Sequence, residues 1–294
     1  MKKVLLTGVD GFTGKYVEKE LLSRGYSVIG LVYREAKSGQ VACDLTDRNA
    51  VVDCLNEVKP DYIIHLAALS FVGHSDQKAF YDVNVFGALN LLEAAKELKL
   101  ELDKVIFASS ANIYGNPEDV QCISESVLPS PVNHYAMSKL AMEHMAKLWF
   151  NQFPMIITRP FNYTGPGQAE NFLIPKIVSH FKKSALEIEL GNTDVSRDFS
   201  DVRDIALAYA NLLESDTESE IVNLCSGQVI SLQSIISMME NIAGYSIQVR
   251  VNPDFVRDNE IKVLGGDNTK LALLTGQAPL INIEKTLTDM YHAK

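Results

Sequence analysis

Lys3-Val4-Leu5-Leu6-Thr7-Gly8-Val9-Asp10-Gly11-Phe12-Thr13-Gly14 is the stretch on which the fold turns. Lys3 to Thr7 is a short apolar run of the kind a parallel strand, buried on both faces, requires. Glycines follow at positions 8, 11 and 14, and the segment from Lys15 to Arg24 reads as a helix ending at Gly25. Glycine permits a tight turn, lets backbone N–H groups approach a pyrophosphate and brings helix against strand, while the helix N-terminus favours negative charge. Strand, Gly-x-x-Gly-x-x-Gly turn and helix together predict a dinucleotide site at the start of a parallel α/β sheet.

Working outward, Ser27 to Val32 reads as the second strand. It runs into Tyr33-Arg34-Glu35, without the acid that would hold a ribose 2′-hydroxyl. Arg34 can accommodate a 2′-phosphate, so NADP is expected ahead of NAD; Glu35 argues the other way, and Arg34 as a solvated loop charge is the alternative. Asp44-Leu45, after a third short strand, is placed against the adenine, unless Asp44 caps the helix expected from Arg48 to Val58. Asp61 to Ala68 is a fourth strand ending in small residues, with His65 expected as a satisfied sheet residue. Phe80 to Leu98 is expected as one long amphipathic helix containing Asn84. Lys104 to Ser110 is the next strand, and Ser110 lies at its carboxyl end, the edge where open α/β sheets bind ligands.

His134-Tyr135-Ala136-Met137-Ser138-Lys139 carries the chemistry. A tyrosine and a lysine four residues apart share one helix face. A free phenol titrates near ~10, and a nearby ammonium lowers that value. A fall of about 3 units requires roughly 4 kcal/mol, which a close charge in a partly dry cleft can supply. Tyr135 and Lys139 are therefore candidates for moving the proton in a carbonyl/alcohol interconversion. The alternative is ordinary helix surface.

The bulk properties narrow the rest. A chain of 294 residues with 47% hydrophobic content and mean hydropathy of +0.02 reads as soluble and globular. No apolar run approaches the ~20 residues of a membrane span. Met1-Lys2-Lys3 leads into a strand rather than a signal-peptide core. A net charge of -10 argues against a nucleic-acid partner. Cys43, Cys54, Cys122 and Cys225 show no C-x-x-C spacing, so structural thiols in a reducing cytoplasm are expected, with no metal site.

The motifs appear in one order: Thr7-Gly8-x-x-Gly11-x-x-Gly14, His65-Leu66-Ala67-Ala68, Asn84-Val85-x-Gly87, Ser109-Ser110-Ala111-Asn112-Ile113-Tyr114-Gly115, Tyr135-x-x-x-Lys139 and Arg159-Pro160-Phe161-Asn162-x-x-Gly165-Pro166. In this combination the chain resembles the extended short-chain dehydrogenase/reductases, specifically their nucleotide-sugar-modifying branch. The resemblance implies a Rossmann-type, doubly wound parallel α/β sheet over residues 1–164, with 201–225 returning to it. It implies a smaller α/β substrate lobe over 165–200 and 226–294. It makes Tyr135 the general acid/base, Lys139 the group that holds the nicotinamide ribose and tunes Tyr135, and Ser110 the partner of the reacting oxygen. Cofactor contacts are implied at Thr7, Gly8, Gly11, Phe12, Thr13, Gly14, Tyr33, Arg34, Asp44, Leu45, Leu66, Ala67, Ala68, Asn84, Lys139 and Arg159. Substrate contacts are implied at Asn112, Asn162, Asn171, Arg197 and Arg257. The two arginines suit phosphate because a guanidinium grips its oxygens in bidentate fashion, a surface ion pair being the alternative for each.

In the 4,6-dehydratases of that branch an acid stands one or two positions after the catalytic Ser or Thr. Here those positions are Ala111 and Asn112, and an amide cannot take a proton at neutral pH. A dehydratase is disfavoured, leaving reductases, which exchange cofactor, and epimerases, which retain NAD. Among these the chain most resembles the GDP-4-keto-6-deoxymannose reductases, which make GDP-D-rhamnose. It departs from them at Asn112, where an acid is common, and at Arg257-Asp258, where Arg-Pro is common. The expected activity is NAD(P)H-dependent reduction of the C4 keto group of a nucleotide-linked 4-keto-6-deoxyhexose, GDP-linked ahead of dTDP-linked. A 4-epimerase with tightly held NAD is the alternative, and a non-catalytic cofactor sensor the less favoured one. Apolar residues beyond one stripe on Phe80–Leu98 and Tyr135–Trp149 suit a homodimer joined by four helices, or equally this chain's own core.

Overall fold

The computed structural model describes residues 1–70, 75–117, 122–256, 262–276 and 278–293. Strands β1 (Lys3–Thr7), β2 (Ser27–Val32), β3 (Gln40–Ala42), β4 (Tyr62–His65), β5 (Lys104–Ala108) and β6 (Met155–Pro160) come first. They are followed by β7 (Asn162–Thr164), β8 (Glu187–Leu190), β9 (Ser196–Asp201), β10 (Glu220–Leu224), β11 (Val229–Ser231), β12 (Gln248–Val251) and β13 (Val263–Leu264). The helices are α1 (Phe12–Ser23), α2 (Arg48–Val58), α3 (Gln77–Tyr81), α4 (Gly87–Glu97) and α5 (His134–Lys147). The remainder are α6 (Leu173–Lys182), α7 (Val202–Glu214), α8 (Leu232–Ala243), α9 (Thr269–Thr275) and α10 (Ile283–His292).

Seven parallel strands form the central sheet in the order β10-β6-β5-β4-β1-β2-β3. Side chains alternate across it. Leu5, Ile63, Val105 and Ile157 join the core under α2, α4 and α5, whereas Leu6, Ile64, Ile106 and Ile156 join Val17 and Leu21 of α1 and Tyr209 and Leu213 of α7. Burial on both faces is why these strands read as unbroken apolar runs. Chain order reverses between β4 and β1, so connections depart to opposite sides and a crevice opens at the carboxyl ends there.

The smaller lobe grows from β7, which leaves the main sheet after β6 and pairs with β9. β9 also pairs with β11 and β13, and β8 pairs with β12. Ile177 and Phe181 of α6, Ile235 and Met239 of α8, and Leu287 of α10 close its core. The segment Arg197-Asp198-Phe199-Ser200-Asp201-Val202-Arg203-Asp204 forms the seam with the main sheet. Asp198 accepts hydrogen bonds from Ser226 N, Ser226 Oγ and Gly227 N. Asp201 caps α7, and Arg203 bridges Asp201 (2.6 Å) to Asp289 of α10 (2.8 Å). From this seam α7 and β10 return to the main sheet.

Local structure departs from expectation in three places. The helical run expected from Phe80 begins at Gln77, and Asp82–Phe86 forms a π turn between α3 and α4. Such turns recur at functional sites because they re-aim side chains out of the regular ladder. α1 begins at Phe12 rather than Lys15, since the glycine turn itself starts the helix. α2 is capped by Asp47, whose carboxylate accepts from Asn49 N and Ala50 N, so Asp44 is not its cap.

Candidate active site

A cleft of about 1170 Å³ runs along the carboxyl edge of the main sheet. It exceeds the roughly 300–1,000 Å³ of a drug-sized site, which leaves room for two extended ligands. At one end stands the glycine turn. A Cβ on Gly14 would lie 2.1 Å from Gly8 O, and Gly8, at φ +71, would bring one 2.9 Å from Ala67 N. Gly11 precedes α1 with no side-chain cap, so the first N–H groups of that helix are left for an external acceptor. Uncapped donors, a positive helix end and a turn without Cβ atoms together fit a pyrophosphate.

Of the residues expected at the cofactor, Gly8, Gly11, Phe12, Thr13, Gly14, Tyr33, Asp44, Leu45, Leu66, Ala67, Ala68 and Lys139 line this cleft. Arg34 stands outside the lining, exposed, with its guanidinium 4.7 Å from the Tyr33 ring centroid. Three others serve the scaffold behind the cleft wall. Thr7 is fully buried; its Oγ1 lies 2.8 Å from His65 Nδ1 and accepts from Ala67 N at 3.0 Å. Asn84, on the π turn, clamps Leu69 N and Leu69 O and donates to Ser138 Oγ at 3.0 Å. Arg159 is held by a bidentate pair with buried Glu143 (2.9 and 2.7 Å) and donates to Tyr114 Oη at 2.9 Å.

Ser110, Tyr135 and Lys139 all face the cleft. Asn133 caps α5 through Ala136 N (2.9 Å), which places Tyr135 in the first turn and Lys139 one turn later. Ser110 follows β5 and begins a short 3₁₀ turn, Ala111–Tyr114, accepting from Asn112 N and Asn112 Nδ2, both at 3.2 Å. Lys139 Nζ donates to Ala108 O at 2.7 Å.

The electrostatics correct one expectation. Burial, opposed by a hydrogen bond with Ser110, pushes the Tyr135 phenol up to about 12, so it is not acidified by this chain's own groups. Burial also brings Lys139 down to about 8, with Glu143 working against the fall. A dry site penalises the phenolate and the ammonium alike. Tyr135 is therefore held as a neutral proton donor. His65 is pushed to about 3 by burial and secondarily by the Lys139 charge, and its Nε2 makes no hydrogen bond among the described residues. It is thus a neutral sheet residue that is only half satisfied.

Among the expected substrate residues, Asn112 and Asn162 line the cleft. Asn171 is exposed outside the lining. Arg197 also lies outside it, and its Nη1 donates to Ser196 O and Lys262 O across the β9–β13 pair. Arg257 falls outside the described residues. The sequence reading missed Tyr163, Gln168, Phe172 and Tyr209, which line the cleft from β7, the loop after it and α7. Tyr163, Gln168 and Phe172 were signalled by proximity to Asn162 and Gly165; Tyr209, on a helix far along the chain, had no such signal. The sequence reading also missed Ser109, which lines the cleft and whose buried Oγ has no hydrogen-bond partner among the described residues.

A switch-point cleft, an uncapped glycine turn and a Ser-Tyr-Lys set on one wall define a nicotinamide-dependent oxidoreductase of the extended short-chain type. The family model for GDP-mannose 4,6 dehydratase matches residues 5–290, and the chain belongs to that family. It is 38% identical to GDP-6-deoxy-D-talose 4-dehydrogenase of Aggregatibacter actinomycetemcomitans, over 98% of this chain and 97% of that one. It is 30% identical to GDP-6-deoxy-D-mannose reductase of Pseudomonas aeruginosa, over 97% and 95%. The structure of RMD from P. aeruginosa complexed with NADPH superposes with a TM-score of 0.87 at 30% identity, covering 99% of this chain and 98% of that one.

Proposed function

We propose that this enzyme interconverts the C4 keto and C4 hydroxyl forms of a GDP-linked 6-deoxyhexose, working with NADP(H) as a 4-ketoreductase. The observation that carries the reading is the Ser110–Tyr135–Lys139 wall with an amide, Asn112, where water elimination would need an acid. A dinucleotide seated on the glycine turn supplies the hydride. The chain's own work is with the proton. Tyr135, kept protonated by burial, donates to the oxygen as negative charge develops there. Ser110 Oγ accepts two N–H groups from Asn112 and is itself hydrogen-bonded with Tyr135, so it orients the phenol toward the reacting oxygen. Lys139, protonated at neutral pH, adds positive charge to the dry wall.

The two curated relatives point to products that differ only in configuration at C4, GDP-6-deoxy-D-talose and GDP-D-rhamnose. The motif resemblance supports the rhamno product, and the greater identity to the Aggregatibacter enzyme supports the talo product. NADP is favoured by Arg34 at the rim, on a tyrosine that lines the cleft. Exposed Phe86, Met137 and Leu148, on the π turn and on and just after α5, support a homodimer, which the sedimentation mass would check. The four free cysteines support a cytoplasmic setting.

The test is loss of NADPH absorbance with GDP-4-keto-6-deoxymannose, with NADH and the dTDP sugar as parallel arms and NMR of the product for C4. Tyr135→Phe should lower turnover at least ~10²-fold, the scale of general acid–base catalysis, and leave NADPH binding intact. Substantial residual turnover would overturn the assignment of Tyr135.

A further inference from the structure

We propose that Tyr163 is the positioning residue through which an occupied dinucleotide turn strengthens binding of a nucleoside diphosphate in the other half of the cleft. The second ligand rests on the function proposed above; the coupling rests on contacts within the chain.

Tyr163 is the middle residue of β7, the strand that carries the backbone out of the main sheet into the smaller lobe, and it stands in register with Ser200 of β9. Its hydroxyl lies 2.7 Å from Thr13 Oγ1 in the first turn of α1. Its ring stacks on Phe12, with centroids 6.2 Å apart and planes at 10°. Phe12 in turn meets the Tyr16 ring edge-on at 5.7 Å, and Tyr16 Oη donates to Pro166 O at 2.7 Å. The start of α1, where the uncapped N–H groups gather, is thus fastened at three points to residues 163–166.

That fastened segment has little freedom of its own. A Cβ on Gly165 would lie 2.6 Å from Val202 Cγ1 and 3.7 Å from Phe12. Thr164 Oγ1 donates to Gln168 Oε1 at 2.7 Å, and Gln168 lines the cleft with Asn162 and Phe172. Whatever orders the first turn of α1 therefore also orders the wall supplied by residues 162–172.

The Thr13–Tyr163 bond can run in either direction, since each oxygen can donate. A phosphate oxygen that accepts the Thr13 hydrogen leaves Thr13 Oγ1 to accept from Tyr163. The two bonds then point the same way and reinforce each other. One bond of this kind corresponds to about a 2–10-fold change in an equilibrium constant. By linkage the effect is reciprocal between the two ligands.

The experiment is calorimetric titration of GDP, with UDP and dTDP as parallel arms, in the presence and absence of saturating NADPH. Wild type should bind the nucleotide about 2–10-fold more tightly with NADPH. In Tyr163→Phe, which keeps the stacked ring and loses the hydroxyl, that ratio should fall to about 1. Thr13→Val should abolish the ratio as well, and Thr13→Ser, which restores the hydroxyl, should retain it. A ratio unchanged in Tyr163→Phe, a wild-type ratio of one, equal weakening with and without NADPH, or no binding of any of the three nucleotides overturns the proposal. Binding of UDP or dTDP in place of GDP, with the coupling present, sinks the GDP reading alone.

Discussion

Arg159→Met should destabilise the protein severely, and adding Glu143→Met should restore it. The Glu143 carboxylate is fully buried and the Arg159 side chain is 3% exposed. Their two bonds are charge-assisted and near-parallel in partners, Nε to Oε1 at 2.9 Å and Nη2 to Oε2 at 2.7 Å. A third guanidinium N–H reaches Tyr114 Oη at 2.9 Å, and that hydroxyl donates to Asn223 Oδ1 at 2.7 Å. With the arginine gone, an uncompensated carboxylate remains fully buried. The penalty for breaking a buried pair from one side is about 3–5 kcal/mol. At roughly 2–4 °C per kcal/mol for a chain somewhat smaller than this one, the midpoint should fall by about 6–20 °C. The double variant removes both charges and fills the space with apolar atoms, so its loss should shrink towards zero. Urea titration of the wild type, both single variants and the double variant gives the coupling between the sites. Equal losses in Arg159→Met and the double variant would refute the reasoning, because the penalty would then not come from the orphaned charge.

Lys139→Met should abolish turnover yet stabilise the fold at pH 7 by up to about 3 kcal/mol, because burial brings the amine from 10.5 to about 8 and each unit is about 1.4 kcal/mol. Between those two values the unfolded chain holds a proton that the native chain lacks, so wild-type stability rises with pH there and the variant's advantage should vanish by about pH 10.5 in urea titrations. For the same reason, turnover at saturating NADPH should fall above about pH 8 as Lys139 loses its charge, while Tyr135, at about 12, contributes no limb in that range; an activity flat to pH 10 in the stopped-flow trace would count against Lys139. Gly14→Ala places a Cβ 2.1 Å from Gly8 O and 2.7 Å from Val9 Cα, both backbone atoms that cannot rotate aside, and fluorescence titration should show NADPH affinity lost by at least ~10-fold, one such step being about 1.4 kcal/mol. Gly25→Ala meets nothing within 4 Å but stands at φ +84, so it should cost stability through backbone strain and leave that affinity intact, which makes it the control.

Much of the fold was legible because its signals are local. The apolar runs of β1, β4, β5 and β6 report burial on both faces, and the glycine spacing reports a turn that only residues without a Cβ can make. Tyr135 and Lys139 come together through helical geometry alone. These statements need only a few consecutive residues. Where an expected contact falls outside the cleft lining, the polar side chain has a partner elsewhere in the chain. Thr7 answers to His65, Asn84 to Leu69 and Ser138, and Arg159 to Glu143, and each is thereby taken out of the cleft wall.

The sequence by itself determined the order of strands and helices in the main sheet, the position of the glycine turn and the helix face shared by Tyr135 and Lys139, since all three follow from backbone periodicity and the presence or absence of a Cβ. Tertiary structure alone decided which polar residues reach a ligand and in which protonation state Tyr135 is held. Hydrogen-bond partners such as Thr13 and Tyr163 stand 150 positions apart. A phenol's acidity depends on how much water the surrounding elements exclude, and no short stretch of sequence carries that quantity.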